Sequence, residues 1–141
     1  MHIEDDITIE IPTSLAKQVL EIGLMAAWQG QTVEARTILN GLKSVRPDAS
    51  AIEIGIAVSY LNEGRVESAI RVLEKAREAF SECDQTRFYL ALAYKLSGLE
   101  SSCQSICQEI SANQADEIAV ALSQSLQGVP PVYRSSLEVM P

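Results

Sequence analysis

Ala57-Val58-Ser59-Tyr60-Leu61-Asn62-Glu63-Gly64-Arg65-Val66-Glu67-Ser68-Ala69 is the stretch that decides the fold. An apolar helical run stops at Gly64, and a second amphipathic run starts two residues later. A glycine just past a helix can take the left-handed conformation that closes it. The same punctuation occurs at Gln29-Gly30-Gln31 and Ser97-Gly98-Leu99, and 34 residues separate Gly30 from Gly64 and Gly64 from Gly98.

Other positions keep this register. Five residues after each glycine come Ala35, Ala69 and Cys103, and nine after come Leu39, Leu73 and Cys107. Four before come Ala26, Tyr60 and Tyr94, and seven before come Gly23, Ala57 and Ala91. Small residues at fixed places let paired helices approach closely, and larger ones fill the space between layers. Internal periodicity of this length signals helical hairpins stacked in tandem.

The spacing predicts helices from Thr13 or Ser14 to Gln29, Thr32 to Val45, Ser50 to Asn62, Val66 to Phe80, Gln85 to Ser97 and Ser101 to Ile110. Thr13 or Ser14, Thr32 and Asp84 are the expected N-caps. Pro47 stops the second helix, and Ala115 to Gln127 reads as a helix that covers the end of the stack. The chain divides into an N-terminal arm, 1–13, a helical domain, 14–127, and a tail, 128–141, expected to be extended by its prolines.

Composition agrees with helices. Of 141 residues 47% are apolar, enough for a core, and only 5% are aromatic, so Ala, Leu and Ile supply most of the packing. Net charge is −8, and no Lys/Arg cluster in sequence suggests nucleic acid or an anionic membrane as partner. No signal peptide or spanning segment is legible, so the chain reads as cytoplasmic with reduced thiols.

Chemistry finds little support. Cys103 and Cys107, four apart, fall at inward packing positions and read as core residues rather than metal ligands. Cys83 lies between helices, where the lone His2 is not placed to activate it. The acidic runs Glu4-Asp5-Asp6 and Glu78 with Glu82 read as solvated. There is no phosphate loop, no zinc-binding helix motif and no nucleophile elbow, so neither an enzyme nor a cofactor or metal site is expected.

In stacked hairpins the first helix of each pair lines the concave face. That places Leu20, Leu24 and Trp28 with Ile54, Val58 and Leu61, and with Phe88, Leu92 and Leu96, along one apolar groove. Lys17, Ala51, Asn62, Gln85 and Lys95 lie beside them. Such a face suits the apolar side of an amphipathic helix rather than a terminal carboxylate. Its other candidate occupants are the Ile-rich arm, the last helix and a second copy, as a homodimer. On this reading Leu24→Asp or Val58→Asp abolishes partner binding and leaves helix content intact.

The register resembles the tetratricopeptide repeat over units 16–49, 50–83 and 84–117, and implies an all-α, short right-handed solenoid of three hairpins with a capping helix. Ala26 stands where the family has an aromatic, Cys103 where it has alanine, and units two and three lack a closing proline. Residues 45–80 are further similar to small type III secretion chaperones, needle-subunit (YscG-type) or translocator (LcrH-type). That resemblance implies a cytosolic protein that sequesters an amphipathic helix of a secretion subunit, with a second small helical co-chaperone. A generic tetratricopeptide scaffold or self-associating adaptor is the alternative.

Overall fold

The computed structural model describes residues 10–113 and 116–129. Those residues form seven helices and no strand: α1 Thr13–Trp28, α2 Thr32–Val45, α3 Ser50–Asn62, α4 Val66–Ala79, α5 Asp84–Leu96, α6 Glu100–Asn113 and α7 Glu117–Gln127. The expected arm before Glu10, the tail beyond Val129 and the expected helix start at Ala115 lie outside the described residues.

Each helix packs on the next, and the odd-numbered helices also touch one another in series, α1 on α3, α3 on α5 and α5 on α7. Local sequence explains why they end where they do. At each of three turns the glycine has positive φ: 82° at Gly30, 75° at Gly64 and 82° at Gly98. The same backbone bond closes each, from Gln31 to Ala26, Arg65 to Tyr60 and Leu99 to Tyr94, at 2.9 Å in all three. This is the six-to-one bond of a glycine-closed helix end. Arg46, held extended by the following Pro47, ends α2, and its Nη2 donates to the Ile11 carbonyl at 2.7 Å.

The expected N-caps are not used. Thr13, Thr32 and Asp84 are already helical, and α1, α2 and α5 start without a side-chain cap bond. The N-cap positions fall one residue earlier, at Pro12, Gln31 and Cys83, which make no side-chain cap bond, and the expected capping side chains serve other contacts. Thr32 hydrogen-bonds Glu63 and, with Arg36, holds that carboxyl below the usual carboxylate range. Asp84 Oδ1 accepts from Arg87 at 2.8 Å and from Asn113 at 3.4 Å, while its buried Oδ2 has no partner. Asp116 does cap α7, accepting from the Ile118 and Ala119 amides at 3.0 and 3.2 Å.

Burial follows the sequence register. Ala35, Ala69 and Cys103, Leu39, Leu73 and Cys107, and Ala57 and Ala91 are all 0% exposed. α3 is enclosed on nearly all sides, with Ile52 and Ile54 through Ser59 buried, as expected of a helix apolar all round. α4 buries one stripe, Ala69, Ile70, Leu73 and Ala76. Polar ties cross the layers: Asn62 donates to the Ala27 carbonyl at 2.5 Å, and Arg36 reaches Ser59 at 3.1 Å and Glu63 at 2.6 Å.

One packing contact is unusually close. A Cβ on Gly23 would lie 2.6 Å from Leu39 Cδ2, and one on Gly55 would lie 2.7 Å from both Leu39 Cδ1 and Leu24 Cδ2. Leu39 of α2 is therefore seated between glycines of α1 and α3. Gly55→Ala is expected to destabilise the protein by about 1–3 kcal/mol through overpacking. Gly41→Ala, inside α2 with nothing near the new methyl group, is expected to stabilise it by about 0.5–1 kcal/mol. Urea unfolding of the two variants checks both signs.

Candidate functional site: an apolar cavity between the odd-numbered helices

Because α1, α3, α5 and α7 adjoin in series, their facing side chains surround one cavity of about 290 Å³. Leu24 and Trp28 come from α1, Ala51, Ile54, Gly55 and Val58 from α3, Gln85, Phe88 and Tyr89 from α5, and Ile118, Ala119 and Leu122 from α7, with Asp116 at the edge. No Lys or Arg lines it. Its floor is buried, with Ile54 7% and Val58 3% exposed, and its rim is open, with Trp28 59% and Ile118 73% exposed.

Three aromatic side chains pack together along one wall. Tyr89 packs edge-on to Phe88 at 5.5 Å and tilted to Trp28 at 6.2 Å, separations at which ring quadrupoles attract. The Trp28–Tyr89 contact joins α1 to α5 across α3. Burial pushes the Tyr89 hydroxyl up from its ordinary value, so the ring is neutral at physiological pH.

Five of the nine side chains expected in the groove meet here: Leu24, Trp28, Ile54, Val58 and Phe88. The other four lie elsewhere. Leu20 packs against the core cluster of the first three helices, Leu61 and Leu92 pack on the core of the later helices, and Leu96 is half-buried outside the cavity. Lys95, expected beside the groove, is 2% exposed and donates to both oxygens of Glu100 at 2.7 and 2.9 Å. A helix presents only two or three residues per two turns to a narrow cavity, so the rest of a stripe is taken up by neighbouring helices.

Sequence reasoning missed Gly55 and Tyr89, and offered the last helix as a possible occupant of the groove without naming its residues. Gly55 and Tyr89 both stand nine residues before a turn glycine, a position where the first unit has Glu21. Their unlike side chains hide the common placement. α7 was expected to cover the end of the stack; in the structure it packs on α5 and α6 and turns Ile118 and Leu122 toward the cavity.

The thiols separate into two environments. Cys103 and Cys107 are fully buried, and burial followed by the neighbouring Cys103 pushes Cys107 up to about 12. Burial also raises Cys103. Burial acts on Cys83 in the same direction, but hydrogen bonds from Thr86, Ser50 and the amides at the start of α5 outweigh it and bring that thiol below the ordinary value. Among the described residues, no three His, Cys, Asp or Glu side chains cluster as metal ligands, and no helix is long and apolar enough to cross a membrane.

Iodoacetamide labelling is therefore expected to modify Cys83 first, with a half-maximal rate below the pH of an ordinary thiol. Cys103 and Cys107 are expected to react only after denaturation, which mass spectrometry of the labelled peptides reads directly. In comparisons with known proteins, the chain matches no family model and no curated sequence.

Proposed function

We propose that the chain is a protein-binding module of the tetratricopeptide type, with three stacked hairpins, whose inner face takes the apolar side of an amphipathic client helix. The observation that carries this reading is the apolar cavity bounded by α1, α3, α5 and α7, buried at its floor and open at its rim. Support for the tandem arrangement comes from the 34-residue register, with matching burial and matching turn bonds at Gly30, Gly64 and Gly98. The cavity stands at the small end of the roughly 300–1,000 Å³ of small-molecule pockets. It suits one or two bulky side chains of a helix, with further contacts along Trp28, Ile118 and Leu122.

Within that class we place the protein as a cytosolic chaperone of the type III secretion kind, hiding a helix that would otherwise polymerise. The support is the resemblance of residues 45–80 together with this apolar, cation-free lining. A second reading, a scaffold that self-associates, is favoured by the outer face of α1, where Leu15, Ile22 and Met25 are 44%, 57% and 57% exposed.

Exposed rim residues test the binding better than core ones. Val58→Asp would bury a carboxylate without a partner and threaten the fold, so the earlier expectation of intact helix content does not extend to it. Trp28→Ala and Ile118→Asp change side chains that are mostly exposed. Each is expected to weaken the client by about 2 kcal/mol, roughly thirtyfold, with helix content unchanged. The client is to be co-purified from the native cell and its footprint mapped by hydrogen exchange. Protection on α1, α3, α5 and α7 supports the reading, and a footprint elsewhere with unaltered affinity in both variants overturns it. Ultracentrifugation of the free chain distinguishes the scaffold, which predicts a dimer broken by Ile22→Asp.

A further inference from the structure

α4 carries acidic and basic side chains on adjoining stripes. Glu67, Glu74 and Glu78 recur at helical spacing, and Glu74 Oε2 accepts from the Tyr94 hydroxyl of α5 at 3.3 Å, which turns that stripe toward the later helices. Ser68, Arg71, Val72 and Lys75 form the adjoining stripe, with Arg71 at its border, four residues after Glu67 and three before Glu74. With Tyr60 of α3 and Arg65 of the preceding turn, they line a surface cleft of about 270 Å³. None of these residues borders the apolar cavity.

Three cations converge on this cleft, and no carboxylate is among its lining residues. Arg65 lies 4.9 Å over the Tyr60 ring and meets Glu63 only at 3.6 Å. Arg71 donates to Ser68 Oγ at 3.2 Å. Lys75 forms no ion pair with a described residue. Arg36, on the same ring at 4.5 Å, differs because Glu63 answers its charge at 2.6 Å. In a chain of net charge −8, the lining of this cleft carries three cationic side chains and no carboxylate.

We propose that this cleft binds an acidic peptide segment of a partner protein. Arg65, Arg71 and Lys75 take its carboxylates, and half-buried Val72 takes an adjoining apolar side chain. From Ser68 to Lys75 the helix rises about 10 Å, which matches about three residues of extended peptide at roughly 3.3 Å each. A nucleic acid fits less well. Its phosphates continue at about one charge per 1.7 Å of duplex and would run onto Glu67, Glu74 and Glu78 of the same helix.

The test uses the full chain and a short fluorescein-labelled peptide alternating Glu with Val, followed by anisotropy. Saturable binding is expected, weakened by salt and lost when Gln replaces each Glu of the peptide. The double variant Arg71→Glu, Lys75→Glu is expected to bind at least about tenfold more weakly. Both side chains are exposed, so its helix content should match the wild type. Lys17→Glu, the same charge change on α1, should leave affinity within about twofold. Equal binding by the wild type and the double variant, absence of binding, or tighter binding of a single-stranded oligonucleotide overturns the proposal. Because the cleft and the cavity share no residue, these outcomes are independent of whether the cavity holds a client helix.

Discussion

Leu39 seated between Gly23 and Gly55 is the contact on which the first half of the molecule depends. Its side chain can reach the space between α1 and α3 only because neither glycine carries a Cβ. Leu39 is 0% exposed, and with Leu42, Ile52 and Ile56 it forms the core of the first three helices. Seating it sets how near α1 stands to α3. Gly55 also admits Leu24, whose Cδ2 would lie 2.7 Å from a Cβ there, so a missing methyl group borders the cavity as well.

The later helices are joined by different means. Their core rests on Leu73, Leu90, Cys103, Cys107 and Ile110, all 0% exposed. Around it lies a polar frame: Arg77 bonds Glu109 at 2.5 Å, Arg87 bonds Asp84 at 2.8 Å, and buried Lys95 is held by Glu100. Lys95 is buried, so breaking its pair with Glu100 would leave an uncompensated charge where α5 turns into α6, whereas Arg77 and Glu109, 38% and 40% exposed, contribute little. The two sulfurs take positions that Ala69 and Leu73 hold one unit earlier, and their raised thiols follow from that burial.

Two surfaces of opposite character result. The inner side of the odd-numbered helices is apolar and without cations, and the outer side of α4 carries a basic cleft beside Tyr60. Both arise from helical spacing acting on an ordinary composition.

Much of the architecture was legible in the residues themselves. Gly30, Gly64 and Gly98 announce three helix ends because a left-handed φ is cheap only for glycine. The small residues at Ala35, Ala57, Ala69 and Ala91 announce the inward faces, and Pro47 marks the stop of α2. These are local effects of backbone and side-chain sterics, which a sequence carries in full. What surrounds the cavity was decided at the tertiary level. Tyr89 enters because it bridges α5 to Trp28, Leu20 and Leu61 leave because neighbouring helices cover them, and Lys95 turns away to Glu100. α7 adds Ile118 and Leu122 by packing beside α5. Those outcomes depend on the rotation and separation of whole helices, which follow from side chains distant in the chain, such as Leu39 against Gly55, and periodicity within a single helix does not specify them.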